Sequence, residues 1–265
     1  MSDILETIAA STRKRVEAAK LIISENELRE KAFALYEERG RNCKTSFRDA
    51  LASDGMSFIC ECKKASPSKG LIAADFPYLE IAKDYEAAGA SAISVLTEPK
   101  WFKGDLRYLN EISQAVNIPT LRKDFTVSPY MIYEAYLNGA SAVLLICSLL
   151  DGKTLEEYLK IAESLSLDAL VEAHDSDEVR MAVSSGAKII GVNNRDLRTF
   201  EVNASNCLRL RNEVPEGALF VAESGIKTNE DVKILTENKV DAVLIGEALM
   251  TSPDKKAYLN KLKHG

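Results

Sequence analysis

The chain has 265 residues, 46% of them hydrophobic and 28% charged, with a formal net charge of −6. That length fits two domains of ordinary size or one α/β barrel of about 250 residues, and either can bury a sizeable core. The acidic balance argues against broad binding to nucleic acid or anionic membranes, and two histidines, His174 and His264, are too few for a histidine-rich metal centre.

Residues 1–45 read as helical. Ile4, Leu5 and Ile8, then Val16, Ala19, Lys20 and Ile23, recur at roughly helical spacing. Ser24 and Glu27 have the spacing of a capping box ahead of Leu28, Phe33 and Leu35. The segment is expected to be a helical extension packed on the main body. Its start, with Asp3 and Glu6 ahead of Arg13-Lys14-Arg15, has the wrong charge order for a signal peptide, and no apolar run is long enough to span a bilayer. Five cysteines without a disulfide-like or zinc-like spacing point to buried thiols in a reducing compartment, the cytoplasm.

From Ser57 onward short apolar runs alternate with longer amphipathic stretches. The runs fall at 58–62, 92–96, 118–121, 142–146, 169–171, 189–192, 219–222 and 242–245. Gly89, Gly139 and Gly186 sit where a left-handed residue would end a helix before the next run. About eight strand–helix units without a hairpin signal predict a (β/α)8 TIM barrel. A doubly wound open sheet is the alternative, and the lack of a GxGxxG after the first run weakens its dinucleotide-binding form.

The polar residues that follow these runs carry the functional reading, because the C-terminal ends of barrel strands build the active site. Glu61 and Lys63 share one strand face, and Cys60 and Cys62 share the other. Further runs end in Lys123-Asp124-Phe125, Glu172, Asn193-Asn194-Arg195-Asp196, Glu223-Ser224-Gly225 and Gly246-Glu247. So many titratable or amide groups on one rim predict a cluster able to poise a lysine as proton donor near neutrality. Ser224-Gly225 and Gly246-Glu247 follow the seventh and eighth runs, where barrels often bind phosphate, and Ala248-Leu249-Met250 suits a short helix behind them. Ser66 can add a further donor.

The strings IxExKxxSPSKG at 59–70, SVLTExxxFxG at 94–104, LRKDF at 121–125, VE-x-H at 171–174, GVNNRDL at 191–197, VAESGI at 221–226 and LIGEALM at 244–250 occur in order. Together they resemble the indole-3-glycerol phosphate synthase family of tryptophan biosynthesis, over essentially the whole chain. The resemblance implies a barrel enzyme, a carboxy-lyase, that closes, decarboxylates and dehydrates 1-(2-carboxyphenylamino)-1-deoxyribulose 5-phosphate without metal or organic cofactor.

Carried over by motif, Lys123 is the general acid and Glu172 the acid–base partner for loss of water. Lys63 pairs with the substrate carboxylate and is a second candidate proton donor, while Glu61 and Asn193 position the substrate. Arg195 helps hold the lysine–carboxylate network. Pro67, Phe102 and Phe125 receive the anthranilate ring, and Ser66, Ser224, Gly225, Gly246 and the Glu247 backbone receive the phosphate. Glu247 stands where a small residue is common, and His174 reads as a rim or structural histidine. The expected partner is this small phosphosugar–anthranilate substrate, with no nucleic acid and no membrane. The chain is expected to be a single barrel domain over 1–265, including the 1–45 extension, as a monomer or weak oligomer with no room for a fused second enzyme. A related phosphosugar isomerase or lyase would not need both lysines, and a phosphate-ligand sensor would not need the proton-transfer residues.

Overall fold

Each of the eight apolar runs forms a strand in the computed structural model, which describes residues 4–43, 45–195, 201–203 and 205–265. The strands are β1 (Ser57–Cys62), β2 (Ala92–Leu96), β3 (Thr120–Lys123), β4 (Ala142–Ile146), β5 (Asp168–Ala173), β6 (Ile189–Asn193), β7 (Leu219–Glu223) and β8 (Ala242–Ile245). They pair in parallel and close into a barrel, with β1 bonded to both β2 (Ile59 opposite Ala92) and β8 (Ser57 opposite Ala242). The third strand starts two residues later than the apolar run, at Thr120, because Pro119 has no N–H for the ladder. A short antiparallel pair, Ala65–Ser66 with Gly70–Leu71, follows β1; the sequence shows no hairpin signal for it beyond Gly70, which has φ 66°.

Alternation divides the core in two. Ile59, Leu121, Leu144, Leu170, Ile189, Val221 and Leu244 fill the barrel, while Phe58, Cys60, Cys62, Val143, Val171, Ile190 and Val243 pack outward under the helices. The cysteines therefore face the helices, and Glu61 faces the interior. The covering helices include α4 (Tyr78–Ala87), α5 (Leu106–Ala115), α6 (Pro129–Leu137), α7 (Gly152–Ser164), α8 (Ser176–Ser184), α9 (Ser205–Leu210) and α10 (Asn229–Glu237). Asp105, Ser128, Asp151, Asp175 and Thr228 cap five of them with side-chain oxygens. Gly89, Gly139 and Gly186 are left-handed at the turns into the next strand, as their positions predict.

The first residues fold as α1 (Ile4–Lys20) and α2 (Glu25–Arg39), and α3 (Phe47–Leu51) follows. Leu5 and Ile8 of α1 reach the same interior cluster as Phe125, at the C-terminal end of the strands. Ser24 accepts the Glu27 N–H at 3.2 Å, but the Glu27 carboxylate pairs with Lys31, so only half of the expected capping box is present. Phe33 and Tyr36 of α2 lie against Tyr133 and Tyr136 of α6, and Asn42 donates to Tyr136 and Ala140 carbonyls as the chain descends. At the opposite end of the barrel, Phe47 and Leu51 of α3 cap the interior, and the Arg48 N–H donates to Asp168 at 2.9 Å. Among the described residues no helix is long and apolar enough to cross a membrane.

Candidate active site

A cavity of about 880 Å³ opens at the C-terminal ends of the strands. Glu61 and Lys63 reach it from the end of β1, Lys123 from β3, Glu172 from β5 and Asn193 from β6. The Lys123 ammonium lies 3.4 Å from Glu172 Oε2 and 3.7 Å from Glu223 Oε2. Lys63 pairs with Glu61 Oε1 at 2.7 Å, and Ser94 donates to the other Glu61 oxygen at 3.3 Å. Asn193 donates to Glu172 Oε1 at 3.3 Å and accepts the Arg195 N–H at 3.0 Å.

This packing sets the protonation of the cluster. Burial opposes the charge on Lys123, but the carboxylates of Glu172, Glu223 and Glu61 outweigh it and hold the ammonium above the ordinary lysine value. The expectation of a lysine poised near neutrality is therefore corrected: the surrounding glutamates, Glu172 foremost, keep it a protonated acid. Burial likewise opposes ionisation of Glu61, and Lys63 and Lys123 more than offset it. The two carboxyls flanking Lys123 diverge. Glu172 resists the effect of burial through Lys123, His174 and the Asn193 hydrogen bond, and lies below the ordinary glutamate value. Burial and the Glu172 charge push Glu223 up to about 8, against the pull of Lys123. One site thus holds a carboxylate and a carboxylic acid side by side, the division needed for paired base and acid work.

The rims differ in character. Phe102 and Phe125, with ring centroids 6.1 Å apart, and Pro67 form an apolar wall. Glu98 positions that wall by accepting the N–H groups of Lys100, Trp101 and Phe102 at 2.7–2.9 Å. Ser66, Ser224, Gly225, Gly246 and Glu247 line the same cavity. Gly225 is left-handed, and so is Ser224 at φ 66°, a strained conformation for a residue with a Cβ. Gly246 caps a short helix, α11 (Glu247–Thr251), and a Cβ there would run into Glu61 and Lys63. The Glu247 side chain meets Lys69 at 3.2 Å and Arg195 at 3.6 Å, so Arg195 touches the lysine–carboxylate cluster through its main chain and Glu247 through its guanidinium. Asp196 and Leu197 of the GVNNRDL string lie outside the described residues.

Two features escaped sequence reasoning. Glu223 ends its apolar run like any other strand-end glutamate; its register opposite Asn193 places it beside Lys123. Asp124 and Arg122, flanking Lys123, turn away from the mouth. Arg122 bonds Glu134, the Met131 carbonyl and Thr97, while Asp124 takes a two-oxygen bond from Arg15 at 2.8 Å. No local signal marks a strand arginine as buried. Among the described residues no group of three or more His, Cys, Asp or Glu side chains is arranged to hold a metal ion.

The model of the indole-3-glycerol phosphate synthase family matches residues 5–262. The chain belongs to this family. An indole-3-glycerol phosphate synthase of Ruminiclostridium cellulolyticum is 54% identical over 260 residues, covering 98% of both chains. That of Endomicrobium trichonymphae is 52% identical over 260 residues, 98% of this chain and 99% of its own. Among solved structures, 3-hexulose-6-phosphate synthase from Salmonella typhimurium superposes with TM-score 0.64 at 15% identity, over 78% of this chain and 96% of that one. A mutant tryptophan synthase alpha-subunit from Pyrococcus furiosus gives TM-score 0.60 at 14% identity, over 78% and 97%. At such identity these two show the shared barrel alone, whereas the sequence relatives show the family.

Proposed function

We propose that this chain converts 1-(2-carboxyphenylamino)-1-deoxy-D-ribulose 5-phosphate into indole-3-glycerol phosphate, CO2 and water, using the barrel mouth as a metal-free acid–base site. The observation that carries the reading is the Lys123 ammonium between Glu172 and Glu223, in a cavity lined also by Pro67, Phe102 and Phe125 and by Ser224, Gly225 and Gly246. The substrate has matching parts: an aromatic ring with a carboxylate, a ketose carbonyl and a phosphate.

The anthranilate ring lies against Pro67, Phe102 and Phe125, and its carboxylate faces Lys63. The phosphate takes N–H and hydroxyl donors from Ser66, Ser224, Gly225, Gly246 and the Glu247 main chain. The carboxylate-bearing ring carbon attacks the ketose carbonyl carbon, and Lys123 gives a proton to the oxygen that becomes a hydroxyl. Loss of CO2 returns its bonding pair to the ring. Departure of the hydroxyl as water then needs an acid on the oxygen and a base for the proton released, and Glu172 serves this exchange. Glu61 holds Lys63, and Asn193 holds Glu172 and a substrate hydroxyl. Positioned acid–base groups of this kind contribute about 10²–10⁴-fold each.

The same reading takes the chain as one barrel domain with residues 1–45 as its extension, acting in the cytoplasm as a monomer or weak oligomer on a small phosphorylated substrate. The test is turnover of the carboxyphenylamino-deoxyribulose phosphate by the purified chain, followed by indole fluorescence in the presence of a chelator. Steady production of an indole supports the reading; no turnover, or activity lost to the chelator, overturns it.

A further inference from the structure

His174 stands just past the end of β5, two residues beyond Glu172, and Glu178 holds both its main chain and its ring. Glu178 Oε2 accepts the His174 main-chain N–H at 2.7 Å and lies 3.1 Å from ring Nδ1. Glu178 is itself held by the Ser148 hydroxyl at 2.5 Å, and Asn206 donates to the His174 carbonyl at 3.0 Å. So anchored, the ring aims Nε2 at Glu172 Oε1 across 3.6 Å, too long for a hydrogen bond as it stands. Nε2 is buried and has no hydrogen-bond partner. Buried polar atoms are rarely left so, and an orphan at a catalytic rim asks for a role.

We propose that His174 is a positioning residue for Glu172: clamped by Glu178, its imidazole keeps one proton in the gap between Nε2 and Glu172 Oε1 and orients that carboxylate as the base of the site. The inference rests on the reading that Glu172 exchanges a proton with substrate. A shift of a few tenths of an ångström closes the gap, and Glu172 is free to make it when Lys123 turns to a substrate oxygen. Asn193 and His174 both address Glu172 Oε1, the first as an amide donor and the second as a proton-bearing ring, while Lys123 faces Oε2.

The groups around the ring favour the charged form. From β5 there is Glu172, and from α8 there is Glu178, with Asp175 at the helix cap. Glu223 comes from β7, the Cys147 thiol and Ser148 hydroxyl from the turn after β4, and Lys123 acts through Glu172. Burial lowers the imidazole's proton affinity, and the Glu178 hydrogen bond with the charges of Glu172 and Glu178 more than restores it. Imidazolium donates from both nitrogens, one to Glu178 and one to Glu172, so the activity it supports falls as pH rises through its titration.

The experiment combines pH profiles with direct titration of the ring. Only two histidines are present, and His264 is exposed near the C-terminus, so a His264→Gln background leaves a single imidazole resonance to follow by NMR. That resonance is expected to titrate above ordinary histidine and to move to lower pH in Glu172→Gln and in Glu178→Gln. Removing the partner that orients a catalytic base costs from about 10-fold to about 10⁴-fold. His174→Gln is accordingly expected to lower kcat by at least about 10-fold, with KM within about twofold, and to abolish the basic limb of the kcat profile. Glu178→Gln shifts that limb to lower pH and keeps the test alive if His174→Gln fails to fold. A limb unmoved in both variants, or a His174 resonance indifferent to Glu172→Gln, overturns the inference. Full kcat in Glu172→Gln instead overturns the reading of Glu172 beneath it.

Discussion

Strand β3 carries two charged clusters that differ in almost every physical respect. Inward, Lys123 faces Glu172 and Glu223 at 3.4 and 3.7 Å, and Glu223 Oε1 has no hydrogen-bond partner. Outward, Arg122, Asp124, Arg15, Thr97 and Glu134 are joined by contacts as short as 2.7–2.8 Å, and the Phe125 N–H closes the Asp124 carboxylate. A satisfied ion-pair network has nothing left to offer a ligand and serves to hold the strand end and α1 in place. The inner cluster, loosely bonded and unevenly protonated, retains capacity for chemistry. One tetrapeptide, Arg122 to Phe125, thus supplies an anchor, an acid, a second anchor and an apolar wall by alternation alone.

The comparison is broken most severely by removing the inner charge. Lys123→Ala is expected to lower kcat by about 10²–10⁴-fold or more, while substrate binding by isothermal titration and the thermal midpoint stay measurable. Near-normal kcat would deny Lys123 its role as acid. The matching outer change, Arg122→Ala, leaves a buried gap and takes the ion-pair partner from Glu134 and the donor from the Met131 carbonyl, while Asp124 keeps Arg15, Thr97 and the Phe125 N–H. Breaking a buried pair costs about 3–5 kcal/mol, which in a chain of this size lowers Tm by roughly 6–20 °C. Calorimetry checks the loss, and assays well below Tm are expected to retain far more activity than Lys123→Ala does. Equal collapse of activity at that temperature would merge the two clusters into one functional unit.

Most of the inner cluster was legible because its members end apolar runs, and strand ends converge whatever the exact register. Glu61, Lys63, Lys123, Glu172 and Asn193 were found that way. The role of Glu223 was not, because a glutamate at a strand end looks like any other until the register with β6 brings it beside Lys123. Gly191 marks the spot in retrospect: a Cβ there would collide with the Glu223 carboxyl. Arg122 was hidden for the opposite reason, since its partners Glu134 and Thr97 come from α6 and the end of β2, where pairing depends on how helix and strand pack. Protonation states were the least legible of all. They follow from which charges share a burial site, and composition counts lysines and glutamates without saying which ones meet.

The smallest expected effect concerns Glu223 and separates the clusters by the sign of their pH dependence. Its folded-state pKa, raised to about 8, exceeds that of an unfolded glutamate. Between the two values the folded chain binds more protons than the unfolded chain, so this group's contribution to stability falls as pH rises toward about 8. Asp124 behaves oppositely. Burial is outweighed there by Arg15 and Arg122, its pKa is lowered, and its contribution is lost only as pH falls below the usual carboxylate range. Glu223→Gln, which mimics the protonated acid, is therefore expected to raise Tm at pH 9 by more than at pH 5. Asp124→Asn is expected to lower Tm at pH 7 and to narrow the gap toward pH 3. Parallel Tm–pH curves for wild type and Glu223→Gln would mean that Glu223 is ionised in the fold. The inner cluster would then be a more conventional ion-pair network than its geometry indicates.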